Sequence, residues 1–253
     1  MGKLMFGAVF VEAVRAPFRD PDWLRKSSLG GVLSLVPALV LGLLISVQMH
    51  LVLKVVMVVF GLVPMFVAWG YLYRVFVDSL NGLEWRMLPE WGDWKGYGGA
   101  GFWLFLIVLG YVLIAAVGLM GVISVLGLLP VDGHPERLSA LLLLVMVTSA
   151  VLYGFFPLVF ARFAAEGRIW TSFDPGTLFA DIRTVVEGNY IRGCLSFYGL
   201  SLMGNLVMGG LPYIGLPLVS IYLFYVMVVF ARIFGKIIGE ARQKAQFQPP
   251  EKR

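Results

Sequence analysis

Glu90 and Asp93 stand three residues apart in the segment LPEWGDW (88–94), each beside a tryptophan. Paired carboxylates at such spacing are the raw material of general acid–base catalysis. Tryptophan favours the membrane–water interface, however, and a carboxylate ahead of an apolar run is a helix cap, so both read as caps that keep the segment at headgroup depth. The chain has 2 histidines, His50 and His134. Each sits beside a turn, and neither a carboxylate nor a cysteine accompanies His50 to complete a metal site, so both read as solvated. Cys194 is the 1 cysteine, which excludes an intrachain disulfide. The chain carries no CxxC, no HExxH and no GxxxxGK[ST] loop. Ser201, Asn205 and Gly209 lie four apart and share one helix face. That pattern is read as close helix packing, with Asn205 hydrogen-bonded across the contact, in preference to a substrate site. No catalytic residue, metal or cofactor is expected, and the protein is expected not to be an enzyme.

The elements that carry these residues are apolar. Of 253 residues, 59% are hydrophobic and 14% charged, with a mean hydropathy of +0.86, whereas soluble domains are about 25% charged. Lipid is therefore the expected solvent. A crossing needs about 20 apolar residues, and the uncharged runs give about six spans: 29–48, 54–74, 102–127, 138–162, 191–209 and 213–237. The polar patch Gln48, His50 and Lys54 breaks the first run, LPVDGHPER (129–137) makes an exposed turn, and GGLPYIGLP (209–217) breaks the last run. The fold class is all-α, three hairpins in one membrane domain. Interfacial segments are expected at 4–18, 85–97 and 174–188, with a flexible tail at 243–253. In FDPGTLFADIRTVVEG (173–188), Asp174 caps, Pro175 suits the first turn and Gly188 ends the helix. Its residues Leu178, Phe179, Ile182, Val185 and Val186 form one apolar stripe, expected against lipid or the span ends. The N-terminal segment lacks a convincing signal peptide and is expected to be retained.

Charge orients the chain. With this parse, only Lys54 and Arg137 of the 20 Lys+Arg fall on the outer side, and an excess of cations marks the cytoplasmic face. Both termini are therefore expected in the cytoplasm. The basic balance of +5 needs no nucleic acid to explain it. Trp23, Trp69, Trp85, Trp91, Trp94, Trp103 and Trp170 all fall near that same face. No Asp or Glu falls inside a span core, which leaves a proton or ion path without titratable steps. The helix ends YLYRVF, VFARF and VFARI place Arg74, Arg162 and Arg232 alike. Their bland reading is snorkelling at inner headgroups, and the sharper one is an anionic lipid or a partner.

The segments DPDW (20–23), GYLYR (70–74), LPEWGDW (88–94) and AAEGRIWTSFDP (164–175) give the chain a relative. It resembles an uncharacterised prokaryotic integral membrane family, the domain of unknown function DUF4013. The resemblance implies a multi-spanning helical fold and brings no activity and no catalytic residues. The expected function is a non-enzymatic membrane protein, an accessory or scaffold subunit acting through its cytoplasmic face. Its expected partners are membrane lipids and another membrane protein or a second copy of the chain. Candidate contacts are Arg74, Trp91, Trp94, Arg162, Trp170 and Arg232. The alternative is an uncoupled permease for lipids or small molecules.

Overall fold

A computed structural model of the chain describes residues 6–48, 50–83, 87–127, 135–211 and 215–247. The expectations for Trp85, for Asp132 and His134 in the outer turn, and for residues beyond Phe247 lie outside these. The described residues form eight α-helices: α1 (Phe6–Arg15), α2 (Trp23–Ser46), α3 (Leu51–Leu80), α4 (Trp94–Val125), α5 (Pro135–Glu166), α6 (Pro175–Val185), α7 (Gly188–Gly209) and α8 (Gly215–Phe247). Two short 3-10 turns, Pro17–Arg19 and Ile169–Phe173, complete the set, and no strand occurs among the described residues.

Five helices, α2, α3, α4, α5 and α8, are long and apolar enough to cross a membrane. The expected sixth, α7, has 22 residues, about 33 Å of helix. Its Arg192, Ser196, Ser201, Asn205 and several glycines keep it below the apolar composition of the other five. Two further boundaries differ from expectation. Gly188 opens α7, while α6 stops at Val185. The α8 helix runs on to Phe247, so the tail expected from 243 is helical at its start.

Helices α3 and α8 form the centre. Helix α2 packs on both, α4 lies along α3, and α7 lies along α8, while α5 meets α4 and α8. Small residues permit this closeness. A Cβ on Gly70 would strike the Tyr97 carbonyl, and one on Gly235 the Phe76 carbonyl, so backbone meets backbone at both contacts. Burial is concentrated at the end where α3, α5 and α8 finish. There Phe76, Leu158, Phe230 and Ile233 share one core, and Tyr71, Trp91 and Phe224 share another. Toward the other end the side chains are apolar and exposed, with Ile45 at 79% and Val125 at 86%. Water would not tolerate so continuous a patch, whereas hydrocarbon does.

Candidate functional site

Four consecutive backbone carbonyls, from Met87 to Glu90, each meet a side chain from a different helix. Arg232 of α8 donates to Met87 O at 3.4 Å, and Lys26 of α2 to Leu88 O at 3.0 Å. Tyr71 of α3 donates to Pro89 O at 3.0 Å, and Tyr97 of α4 to Glu90 O at 2.7 Å. An irregular segment cannot bond to itself, so its buried polar groups need partners from elsewhere. Here four helices supply them.

Asp20 and Lys26 anchor the arrangement, each side chain being only 2% exposed. Asp20 leaves the first 3-10 turn, and its Oδ1 accepts from the Asp22 N–H at 2.8 Å. Its Oδ2 accepts from the Leu88 N–H at 2.8 Å and from Lys26 Nζ at 2.9 Å. Lys26 Nζ also donates to Glu90 Oε1 at 2.5 Å. An ammonium has three protons, and Asp20, Leu88 and Glu90 take all of them. Burial alone would push the Asp20 carboxyl up. The Lys26 ammonium and the two backbone N–H groups outweigh it and hold the carboxyl below its ordinary value. Trp91 closes the clamp. Its Nε1 donates to Lys26 O at 3.2 Å, and its ring stacks on Tyr71 at 4.0 Å between centroids and 8° between planes. Asp93 then caps α4 by accepting from the Gly96 N–H at 2.9 Å. With the three Lys26 protons and both Asp20 oxygens taken, this buried pair is a support and not a poised acid or base. What it does is fix a segment.

The candidate contact residues divide. Trp91 is 8% exposed and Arg232 is 3% exposed. Both are corrected from lipid or partner contacts to internal supports, because both side chains are buried between the 87–91 segment and the helices around it. Arg162 is 14% exposed and holds Asp181 at 3.1 Å and Glu166 at 3.0 Å, while Arg242 reaches Asp181 at 3.7 Å. It therefore docks α6 onto α5 and α8 in place of snorkelling. Arg74 faces outward beside Asp78 at 3.1 Å. Trp94 at 44% and Trp170 at 81% are open.

The packing face expected on α7 is displaced by one residue. Asn205 is exposed and donates to Ser201 O of its own helix at 2.8 Å. The close contact is at Gly204, which lies under the Tyr222 ring, and Tyr222 donates to Leu200 O at 3.1 Å. Gly209 ends the helix. On α6, Asp174 caps by accepting from the Gly176 N–H at 3.2 Å, and the Thr177 hydroxyl bonded to it lowers its pKa. Leu178 and Val185 are buried, Ile182 and Val186 half-buried, and Phe179 exposed. The residues that sequence reasoning missed are Asp20, Lys26, Tyr71 and Tyr97. Their one signal was position, since all sit in or beside the quoted motifs.

Five helices fit to cross a membrane, four of them bonded at one end to a single aromatic segment, define a multi-pass membrane protein of all-α class. The family of proteins of unknown function DUF4013 matches residues 53–213, well over half of the chain. The protein belongs to that family. No curated protein and no solved structure matches it. The matched stretch holds Tyr71, Trp91 and Tyr97, whereas Asp20, Lys26 and Arg232 lie outside it.

Proposed function

We propose that this protein is a non-enzymatic integral membrane protein, an accessory or scaffold subunit that holds lipid or a partner at its cytoplasmic face. The observation that carries this reading is the division among its tryptophans. Trp91 is spent on fixing the 87–91 segment, while Trp94 and Trp170 remain open at 44% and 81%. Arg74 is exposed on α3 and Arg168 precedes Trp170. Aromatic and basic residues together suit interfacial headgroups and protein hot spots alike. The absence of Asp and Glu from the span cores supports holding over coupled transport.

In this reading α7 completes a sixth crossing, and three hairpins put both termini in the cytoplasm of a prokaryotic cell. Helix α6 lies in the plane of the inner leaflet, with Phe179 toward lipid. The partner is lipid and either another membrane protein or a second copy of this chain.

The test is co-purification from native membranes in mild detergent. Trp94→Ala with Trp170→Ala should lose the associated lipid or protein while insertion and melting temperature are retained. Gradient-driven solute flux by the purified protein in liposomes, unaffected by those substitutions and with no stable partner recovered, would replace this reading with the permease.

A further inference from the structure

A second polar site lies beside the clamp. A cavity of about 470 Å³ opens where α1, the first 3-10 turn, the end of α3 and the last turns of α8 meet. It falls within the size range of small-ligand sites, about 300–1,000 Å³. Among the described residues, four charged side chains line it. Glu12 comes from α1, Arg19 from the turn, and Lys236 and Glu240 from one face of α8. Their formal charges cancel.

The four are not equivalent. Lys236 and Glu12 form an ion pair at 3.3 Å. Arg19 and Glu240 make no side-chain hydrogen bond or ion pair among the described residues. A cation and an anion on one cavity wall are thus left to something else. The end of α3 adds polarity. Gly82, at φ 71°, lets its N–H bond Ser79 O at 3.2 Å and the Leu83 N–H bond Asp78 O at 2.9 Å. This closes the helix with its negative pole toward the cavity. The Glu240 side therefore favours an ammonium. Arg19 presents a planar fork of donors suited to an oxyanion, phosphate above all.

We propose that this cavity binds a short zwitterion of the phosphoethanolamine kind, with its ammonium at Glu240 and its phosphate at Arg19. The ligand comes either from a free soluble molecule or from a phospholipid headgroup. The site is separate from Trp94 and Trp170, so it stands or falls apart from the scaffold reading.

Calorimetric titration of the full chain tests it, with glycerophosphoethanolamine as probe and glycerol phosphate and ethanolamine as half-ligands. The expected result is saturable binding of the zwitterion, at least tenfold weaker for either half alone. Arg19→Gln and Glu240→Gln should each weaken it at least tenfold. Arg19 is exposed and Glu240 half-buried, so melting curves of both variants should match the parent. The source is read in nanodiscs. Competition from phosphatidylethanolamine discs, but not phosphatidylglycerol discs, marks a lipid headgroup, and equal affinity in both marks a free molecule. No saturable binding, equal binding of ethanolamine alone, or binding unchanged in both variants overturns the proposal.

Discussion

The ammonium of Lys26 and the carboxylate of Asp20 are buried together, and each also bonds the Leu88 backbone, 62 and 68 positions away in sequence. Burying such a pair is costly, but removing one member leaves the other charged without compensation, typically at roughly 3–5 kcal/mol. Lys26→Met should therefore lower the melting temperature in mild detergent sharply, and adding Asp20→Asn should restore part of the loss. If the double variant is no better than the single, charge is not what the site balances. The pH dependence has a fixed sign. The Asp20 pKa is lower in the folded chain than its ordinary 3.8, so its contribution is complete above that value and fades as pH falls through the lowered one. The stability gap between the parent and Asp20→Asn should narrow on acidification. A gap that widens in acid would contradict the assignment.

Elements are joined by small residues and by stripes of which only part is buried. Gly204 touches the Tyr222 ring while its neighbour Asn205 faces outward. Filling a packed contact costs about 1–3 kcal/mol, whereas an exposed change stays within about 0.5 kcal/mol. Gly204→Leu should thus destabilise the α7–α8 pair and Asn205→Leu should not, as compared by thermal unfolding. The reverse order would restore the Ser201–Asn205–Gly209 face as the contact. On α6, Ile182 packs against the core that includes Val185 and Tyr190, and Phe179 points away. Ile182→Asp should cost about 2 kcal/mol or more. Phe179→Asp should leave folding in detergent near the parent. Equal tolerance of both would mean that α6 is a solvated loop.

At the scale of the whole molecule, the helices differ in how much of themselves they bury. Helix α8 buries 56% of its most apolar window, and the other four apolar helices between 11% and 17%. So α8 is the mast on which the rest are hung, and lipid must cover what remains of the others. The proposed six crossings predict an alternation that labelling can read. In a Cys194→Ser background, single cysteines replacing Asp132 and Leu211 should react only from outside the cell. One replacing Leu83 should react only from the cytoplasmic side. Reaction of position 132 from the cytoplasm would refute the arrangement.

Much of this was legible in the chain itself. Apolar run length located the five strongly apolar helices, because a bilayer of fixed thickness sets a minimum for uninterrupted hydrocarbon. The polar break near His50 falls between the end of α2 and the start of α3, and the glycine- and proline-bearing break at 209–217 spans the end of α7 at Gly209 and the start of α8 at Gly215. Local grammar also held for Asp93 and Asp174, whose caps depend on neighbours three or two residues away. What tertiary structure decided was which polar and aromatic residues turn inward. Arg74, Arg162 and Arg232 end similar segments, yet one is exposed, one docks α6 and one is buried in the clamp. Trp91 and Trp94 are neighbours in one motif and lie on opposite sides of the same boundary. Sequence spacing cannot separate them, because the deciding partners, Asp20, Lys26 and Tyr71, come from distant helices. They meet only because backbone contact at residues such as Gly70 brings those helices within reach.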